Sequence, residues 1–217
     1  MSVATAAGML TRKVLLDAVH RLAARERRFG DILDAYGPPP LWARKPGFAT
    51  LVLLILEQQV SIASARATFA RLQEAAGETV PEALLAMTDA AMNAVGVSRQ
   101  KIRYIRELSV ACRDGRLDLK ALGRAPDHEV ERELIALPGI GPWTAQVYLA
   151  MALRRPDVFA AGDLALQIVV HERWRLRSRP TPERLLKIAE PWRPLRGAAM
   201  RLLWHAYLTE RRSPNQK

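Results

Sequence analysis

Apolar residues recur at helical spacing along almost the whole chain, and no segment shows the strict alternation of a half-buried strand. The helix predicted over 47–59 is apolar on all sides, which indicates a central position in a core. The pattern therefore predicts an all-α fold, with helices over 12–26, 29–36, 47–59, 61–76, 98–113, 127–136, 142–153, 164–175, 182–189 and 193–210.

The turn between the helices predicted at 127–136 and 142–153 is the most informative segment. It contains Gly139 and Gly141, and Pro142 follows at the first helical position. Glycines allow a sharp turn and let another molecule approach the backbone closely. The helix N-terminus that follows can bind an anion such as a DNA phosphate. An ordinary corner between two helices, closed by a glycine cap, is the alternative.

The composition changes this picture through its charge. Among 217 residues, 33 Lys and Arg against 22 Asp and Glu give a formal net charge of +11 and an isoelectric point of about 10.6. Such a balance is typical of nucleic-acid-binding proteins, although a basic protein from an arginine-rich proteome would share it. Cys112 is the single cysteine, which excludes an internal disulfide and a cysteine-ligated cluster. The four histidines lack metal-binding spacing, so no metal site is predicted.

The sequence shows no targeting segment and no membrane span. Its longest apolar runs, such as 51–56, are far too short to cross a bilayer. We therefore expect no membrane partner and a cytoplasmic, nucleoid-associated protein.

Several separate segments resemble one known family. Residues 137–145 (LPGIGPWTA) resemble the hairpin of the helix-hairpin-helix DNA glycosylases. Residues 48–61, 96–108 and 191–208 are similar to segments of the 3-methyladenine DNA glycosylase II group, so the resemblance covers roughly residues 25–210. The best-known members carry an extra N-terminal sheet domain, and this chain resembles the compact form without it. The resemblance implies two helical lobes with the active site in the cleft between them: residues 1–46 plus 164–217, and residues 47–163 with the hairpin.

The resemblance also implies roles for individual residues. Asp163 lies where the family has its essential aspartate, Trp143 and Trp204 match the base pocket, and Gln59 matches the side chain that intercalates into DNA. The implied contacts to the DNA backbone are Gly139, Gly141, Thr144 and Lys101. Each role has a plainer alternative: a helix N-cap for Asp163, core packing for Trp204, a turn for Gln59, and a solvated helix face for Lys101.

The implied function is that of a monofunctional DNA glycosylase in base excision repair. It would hydrolyse the N-glycosidic bond of flipped-out alkylated purines, of the 3-methyladenine and 7-methylguanine type, in double-stranded DNA containing damaged bases. A carboxylate such as Asp163 would stabilise the positive charge of the transition state. Relatives that also cut the strand carry a lysine where this chain has Trp143, so no AP-lyase activity is expected. We expect a monomer and no cofactor beyond a structural monovalent cation at the hairpin.

Two departures leave the lesion preference open. Some relatives have aromatic residues at the positions of Val147 and Leu164, which are aliphatic here. Losing those rings could narrow excision toward 3-methyladenine or admit bulkier lesions. Two alternative functions are a non-catalytic helix-hairpin-helix DNA-binding module and a glycosylase for another damaged base. The binding module would need the hairpin glycines but not Asp163, Trp143 and Gln59 together.

Overall fold

The computed structural model describes residues 8–212, apart from the side chain of Arg212, and within that range the fold is all-α without a β-strand. This confirms the predicted fold class. A 3-10 turn at Glu190–Trp192 precedes the last helix. The helices are α1 Arg12–Arg25, α2 Arg27–Tyr36, α3 Phe48–Glu57, α4 Ile62–Ala76, α5 Pro81–Ala86, α6 Asp89–Ala94, α7 Arg99–Arg113, α8 Leu119–Leu122, α9 Asp127–Ile135, α10 Pro142–Met151, α11 Leu164–Arg173, α12 Pro182–Ala189 and α13 Arg196–Arg212.

The predicted helices are all present, with ends shifted by up to three residues. The largest shift is at α13, predicted from 193 and observed from Arg196. Arg193 precedes a proline and has an extended backbone (φ −58°, ψ 144°), because a following proline ring disfavours the helical conformation. Sequence periodicity missed α5, α6 and α8, which have only six, six and four residues.

The chain divides into two compact units. The hairpin unit comprises Arg44–Ala152, and the terminal unit combines the residues up to Ala43 with those from Leu153 on. The sequence prediction grouped residues 153–163 with the hairpin, whereas in the structure they pack within the terminal unit. The main-chain amide of Leu10 donates to the carbonyl of Arg154 over 2.8 Å, and that of Gly197 donates to Pro156 over 2.8 Å. These hydrogen bonds attach residues 153–163 to the parts of the terminal unit that precede and follow the hairpin unit in the chain.

Helix α3 forms the centre of the hairpin unit, as its apolar sequence predicts. Eight of its ten residues are buried, and it packs against α4, α7 and α10. Full burial of a leucine or isoleucine stabilises by roughly 1.5–3 kcal/mol, so this helix is a large part of the core. Its last residue, Glu57, lies at the unfavourable negative end of the helix dipole. Arg44 offsets that charge with two hydrogen bonds of 2.9 Å to the Glu57 carboxylate.

Helix α13 forms the centre of the terminal unit and packs against α1, α2 and α11. It carries Arg201, whose side chain is fully buried. Its Nε donates to the Leu41 carbonyl over 2.9 Å, and Nη1 donates to the Gly197 carbonyl over 2.8 Å. Burial lowers the pKa of Arg201 to about 10, so the guanidinium stays charged at neutral pH. Arg201 therefore fixes the connector that follows α2.

Candidate functional site

The hairpin between α9 and α10 requires glycine at only one of its two glycine positions. Gly139 has a φ of +83°, and a Cβ added there would lie 2.1 Å from Cγ of the Tyr104 ring. Gly141 has φ −93° and ψ 178°, which any residue adopts, and a Cβ there would meet nothing within 4 Å. The packing of the protein thus explains Gly139, whereas it leaves Gly141 without a steric role inside the hairpin unit.

The N-terminus of α10 has the features of an anion site. Gly141 precedes it and supplies no side-chain acceptor to the first-turn amides, and Pro142 opens the helix. Both residues are at least partly exposed, so a ligand can approach. The positive end of the helix dipole and the first-turn amides favour a phosphate there. Trp143 follows in the same turn and is half-buried.

Thr144 is buried, which restricts how it could contact DNA. Its hydroxyl accepts a hydrogen bond of 3.0 Å from Nε2 of Gln58, and the same amide donates to the Gly139 carbonyl over 2.8 Å. The Thr144 side chain therefore stabilises the hairpin from inside. Thr144 is only 2% exposed, and its contact with the DNA backbone stays a prediction.

The loop after α3 places Gln59 at the surface in a rare backbone conformation. Gln59 is exposed and has a φ of +58°. A left-handed backbone at a residue other than glycine costs about 1–3 kcal/mol and persists only where the surrounding structure enforces it. Gln59 lies in a turn, as its plainer alternative proposed, and its side chain is exposed, so the intercalating role stays a prediction.

Lys101 was predicted to contact DNA phosphate, and the structure gives its ammonium group two partners in the protein. Nζ donates to the carbonyls of Leu56 and Gln58, over 2.7 and 2.9 Å. Burial lowers the pKa of Lys101 from its ordinary value. A cation in the first turn of α7 lies at the positive end of the helix dipole, which destabilises the helix by roughly 0.3–1 kcal/mol. Each hydrogen bond from a charged donor contributes roughly 1.5–3 kcal/mol, so the bonds to the α3 end outweigh this cost.

Asp163 is the N-cap of α11, as the plainer alternative for this residue proposed. Its Oδ1 accepts hydrogen bonds from the amides of Ala165, over 2.9 Å, and Leu166, over 3.2 Å. The carboxylate is half-buried, and the neighbouring Leu164 is 51% exposed. Capping fixes the orientation of the carboxylate and is compatible with a catalytic role.

An aromatic group that sequence analysis missed accompanies Trp204 in the terminal unit. Trp204 lies on α13, which packs on α11, and it is only 8% exposed. The half-exposed ring of Trp42 meets it edge to face, with centroids 6.4 Å apart, and also meets His205 at 6.3 Å. Trp42 has a φ of +46°, and Arg201 holds the preceding Leu41 carbonyl. A tryptophan in a connector was the only available signal.

Val147 lies on α10 with 2% of its surface exposed and belongs to the core of the hairpin unit. Among residues 8–212, no group of three or more His, Cys, Asp or Glu side chains is placed to hold a metal ion. Over the same range, no helix combines the length and the apolar character needed to cross a membrane.

Comparison with known proteins identifies the family. The pattern of the HhH-GPD superfamily of base excision DNA repair proteins matches residues 52–194. The putative DNA-3-methyladenine glycosylase YfjP of Bacillus subtilis is 26% identical over 183 residues, which are 81% of this chain and 64% of that protein. The chain thus spans a little less than two thirds of the length of this relative.

Two solved structures are similar over nearly their whole length. A DNA-3-methyladenine glycosidase from Bacillus halodurans is 30% identical with a TM-score of 0.74, covering 91% of each chain. The Schizosaccharomyces pombe 3-methyladenine DNA glycosylase Mag1, solved in complex with abasic DNA, is 26% identical with a TM-score of 0.81, covering 93% of this chain and all of Mag1. The chain therefore belongs to the HhH-GPD superfamily of base excision DNA repair proteins.

Proposed function

We propose that this protein is a monofunctional DNA glycosylase that hydrolyses the N-glycosidic bond of alkylated purines in duplex DNA. The observation that carries the proposal is the fixed Asp163 carboxylate at the start of α11, in a chain that is 30% and 26% identical to two solved 3-methyladenine glycosylases. The substrates would be flipped-out bases of the 3-methyladenine and 7-methylguanine type.

Asp163 would act on the sugar. Breaking the N-glycosidic bond leaves positive charge on the deoxyribose, and a fixed carboxylate stabilises it electrostatically. Two amide donors already orient Oδ1, so little reorganisation is needed during the reaction. The same carboxylate can orient or deprotonate the attacking water. A base alkylated at N3 or N7 is cationic and leaves readily, so one carboxylate suffices.

The hairpin would bind the DNA backbone. The open approach to Gly141, the first turn of α10 and a net charge of +11 support a phosphate contact. The complex of Mag1 with abasic DNA supports DNA as the partner. Two further parts of the proposal are action as a monomer and location in the cytoplasm at the nucleoid.

A monovalent cation at the hairpin also belongs to the proposal. The carbonyl of Gly139 accepts from Gln58, and that of Leu137 accepts from the Ile140 amide. A carbonyl oxygen has two lone pairs, so these bonds leave room for a cation. Its role would be to hold the hairpin backbone in shape.

Base release from methylated duplex DNA tests the proposed function. We expect the protein to release 3-methyladenine or 7-methylguanine, separated by chromatography, and to leave the strand intact until it is heated in alkali. Trp143 replaces the lysine of strand-cutting relatives, so borohydride should trap no covalent complex on abasic DNA. Tight duplex binding without release of any base would instead indicate a binding module or another lesion.

Trp42 should contribute to recognition of the cationic base, because its indole is more exposed than that of Trp204, on which it packs. We expect Trp42→Ala to weaken binding of duplexes with non-hydrolysable 2′-fluorinated 7-methylguanine by about 2- to 30-fold, the range of a cation–π contact. Binding of the neutral 7-methyl-7-deazaguanine analogue should change less. Trp42→Phe keeps a ring and serves as the control. Equal losses for both analogues would contradict a cation–π role.

A further inference from the structure

The strained loop that carries Gln59 is held from two sides within the hairpin unit. On one side, Nζ of Lys101 donates to the carbonyls of Leu56 and Gln58, at the end of α3. On the other side, Nε2 of Gln58 donates to Gly139 and Thr144 in the hairpin. An amide nitrogen has two hydrogens, and both are used here. The residue immediately before Gln59 is therefore held through its main chain and its side chain.

Helix α7 serves as a common support for the loop and the hairpin. Lys101 and Tyr104 are three residues apart, so they share one face of the helix. Lys101 binds the loop, and the Tyr104 ring lies directly against Gly139. Displacing the hairpin would therefore disturb Gln58, and displacing the loop would disturb the hairpin.

We infer that Lys101 and Gln58 are positioning residues, which hold Gln59 in the conformation that inserts into DNA and couple its insertion to binding of the backbone by the hairpin. This inference rests on the proposed function, in which Gln59 fills the space left by the flipped nucleotide. Lys101 then acts through Gln59 and adds no phosphate contact, in contrast to the role that sequence resemblance implied for it.

Salt dependence and base unstacking together distinguish the two roles of Lys101. The probe is a duplex with a tetrahydrofuran abasic analogue beside 2-aminopurine, whose fluorescence reports a side chain inserted next to it. Affinity measured across a KCl series gives the number of phosphates neutralised. The variant Gln59→Ala defines the fluorescence change that is lost without the inserting side chain.

We expect Lys101→Met to lower the fluorescence change at saturating protein, because an ordinary hydrogen bond shifts the equilibrium between inserted and withdrawn Gln59 by about fivefold. The slope of log affinity against log salt should stay unchanged. A slope reduced by about 0.9, the value of one phosphate contact, with unchanged fluorescence would overturn the inference. Lys120→Met removes a lysine from an exposed position and should leave the fluorescence change as in the wild type.

A second variant keeps the test decisive if Lys101→Met does not fold. Gln58→Met preserves every charge and should by itself lower the fluorescence change. Where Lys101→Met folds, the double variant should equal either single one. Additive losses, or full fluorescence in Gln58→Met, would overturn the coupling. Fluorescence does not require catalysis, so a protein that inserts Gln59 but releases no base would refute the proposed glycosylase and leave this inference standing.

Discussion

Replacing Asp163 with asparagine is expected to lower the rate of base release by about 100- to 1000-fold, the usual loss when one preorganised electrostatic group is removed. Asparagine caps a helix as well as aspartate does, so the two bonds from Ala165 and Leu166 can be kept. The change removes the negative charge of the carboxylate and should leave the fold unchanged. Single-turnover release of methylated purines, measured by chromatography at saturating protein, gives the rate directly.

Asp118 provides a matched control for this variant. Its Oδ1 accepts from the amides of Lys120 and Ala121, the same offsets of two and three residues that Asp163 uses at α11. Asp118→Asn therefore makes the same chemical change at another N-cap, and the rate should stay at the wild-type value. If Asp163→Asn kept more than about a tenth of the rate, electrostatic stabilisation by this carboxylate would be refuted.

Replacing Gly139 with alanine should give the largest loss of stability. A left-handed backbone costs a residue with a Cβ about 1–3 kcal/mol, and overpacking against the Tyr104 ring adds about 1–3 kcal/mol. The two terms together should lower the thermal midpoint by roughly 5–15 °C, followed by circular dichroism. Combining the change with Tyr104→Ala separates the causes, because it relieves the collision and leaves the backbone cost. An undiminished loss in that background would rule out the collision.

Gly141→Ala is the counterpart of this variant on the same turn. Its methyl group meets nothing within 4 Å and its backbone is extended, so the thermal midpoint should stay close to that of the wild type. The methyl group would occupy open space beside the first turn of α10, where the phosphate is proposed to bind, so affinity for duplex DNA should fall. If the variant bound duplex DNA as tightly as the wild type, the proposed phosphate contact at the first turn of α10 would be refuted.

The long helices could be predicted from the sequence because periodicity needs several turns to be visible. Helices such as α7, with 15 residues, show an apolar stripe over four turns. Helices α5, α6 and α8 span one or two turns and offer too few positions for such a stripe. The family of the protein could be predicted because the hairpin string has an unusual composition at fixed spacing.

The partners of the site residues could not be predicted, because they are distant in the chain. The acceptors of Lys101 lie 43 and 45 residues away, and Gln58 and Thr144 are separated by 86 residues. From the sequence alone, exposure on a solvated helix face was therefore as well supported for Lys101 as contact with a DNA phosphate. Trp42 was not predicted as a site residue for the same reason, because its contact with Trp204 joins the connector after α2 to α13.

The hydrogen bond from Arg201 to the Leu41 carbonyl joins residues 160 apart, and this has a consequence for synthesis of the chain. The hairpin unit is continuous from Arg44 to Ala152 and can fold while the ribosome is still translating. Helices α1 and α2 emerge earlier, yet besides each other they pack on α13, which follows the whole hairpin unit in the chain. The contacts of α1 and α2 with α13 must therefore wait until the hairpin unit has been translated. Packing of the terminal unit can thus be completed only after the hairpin unit has left the ribosome.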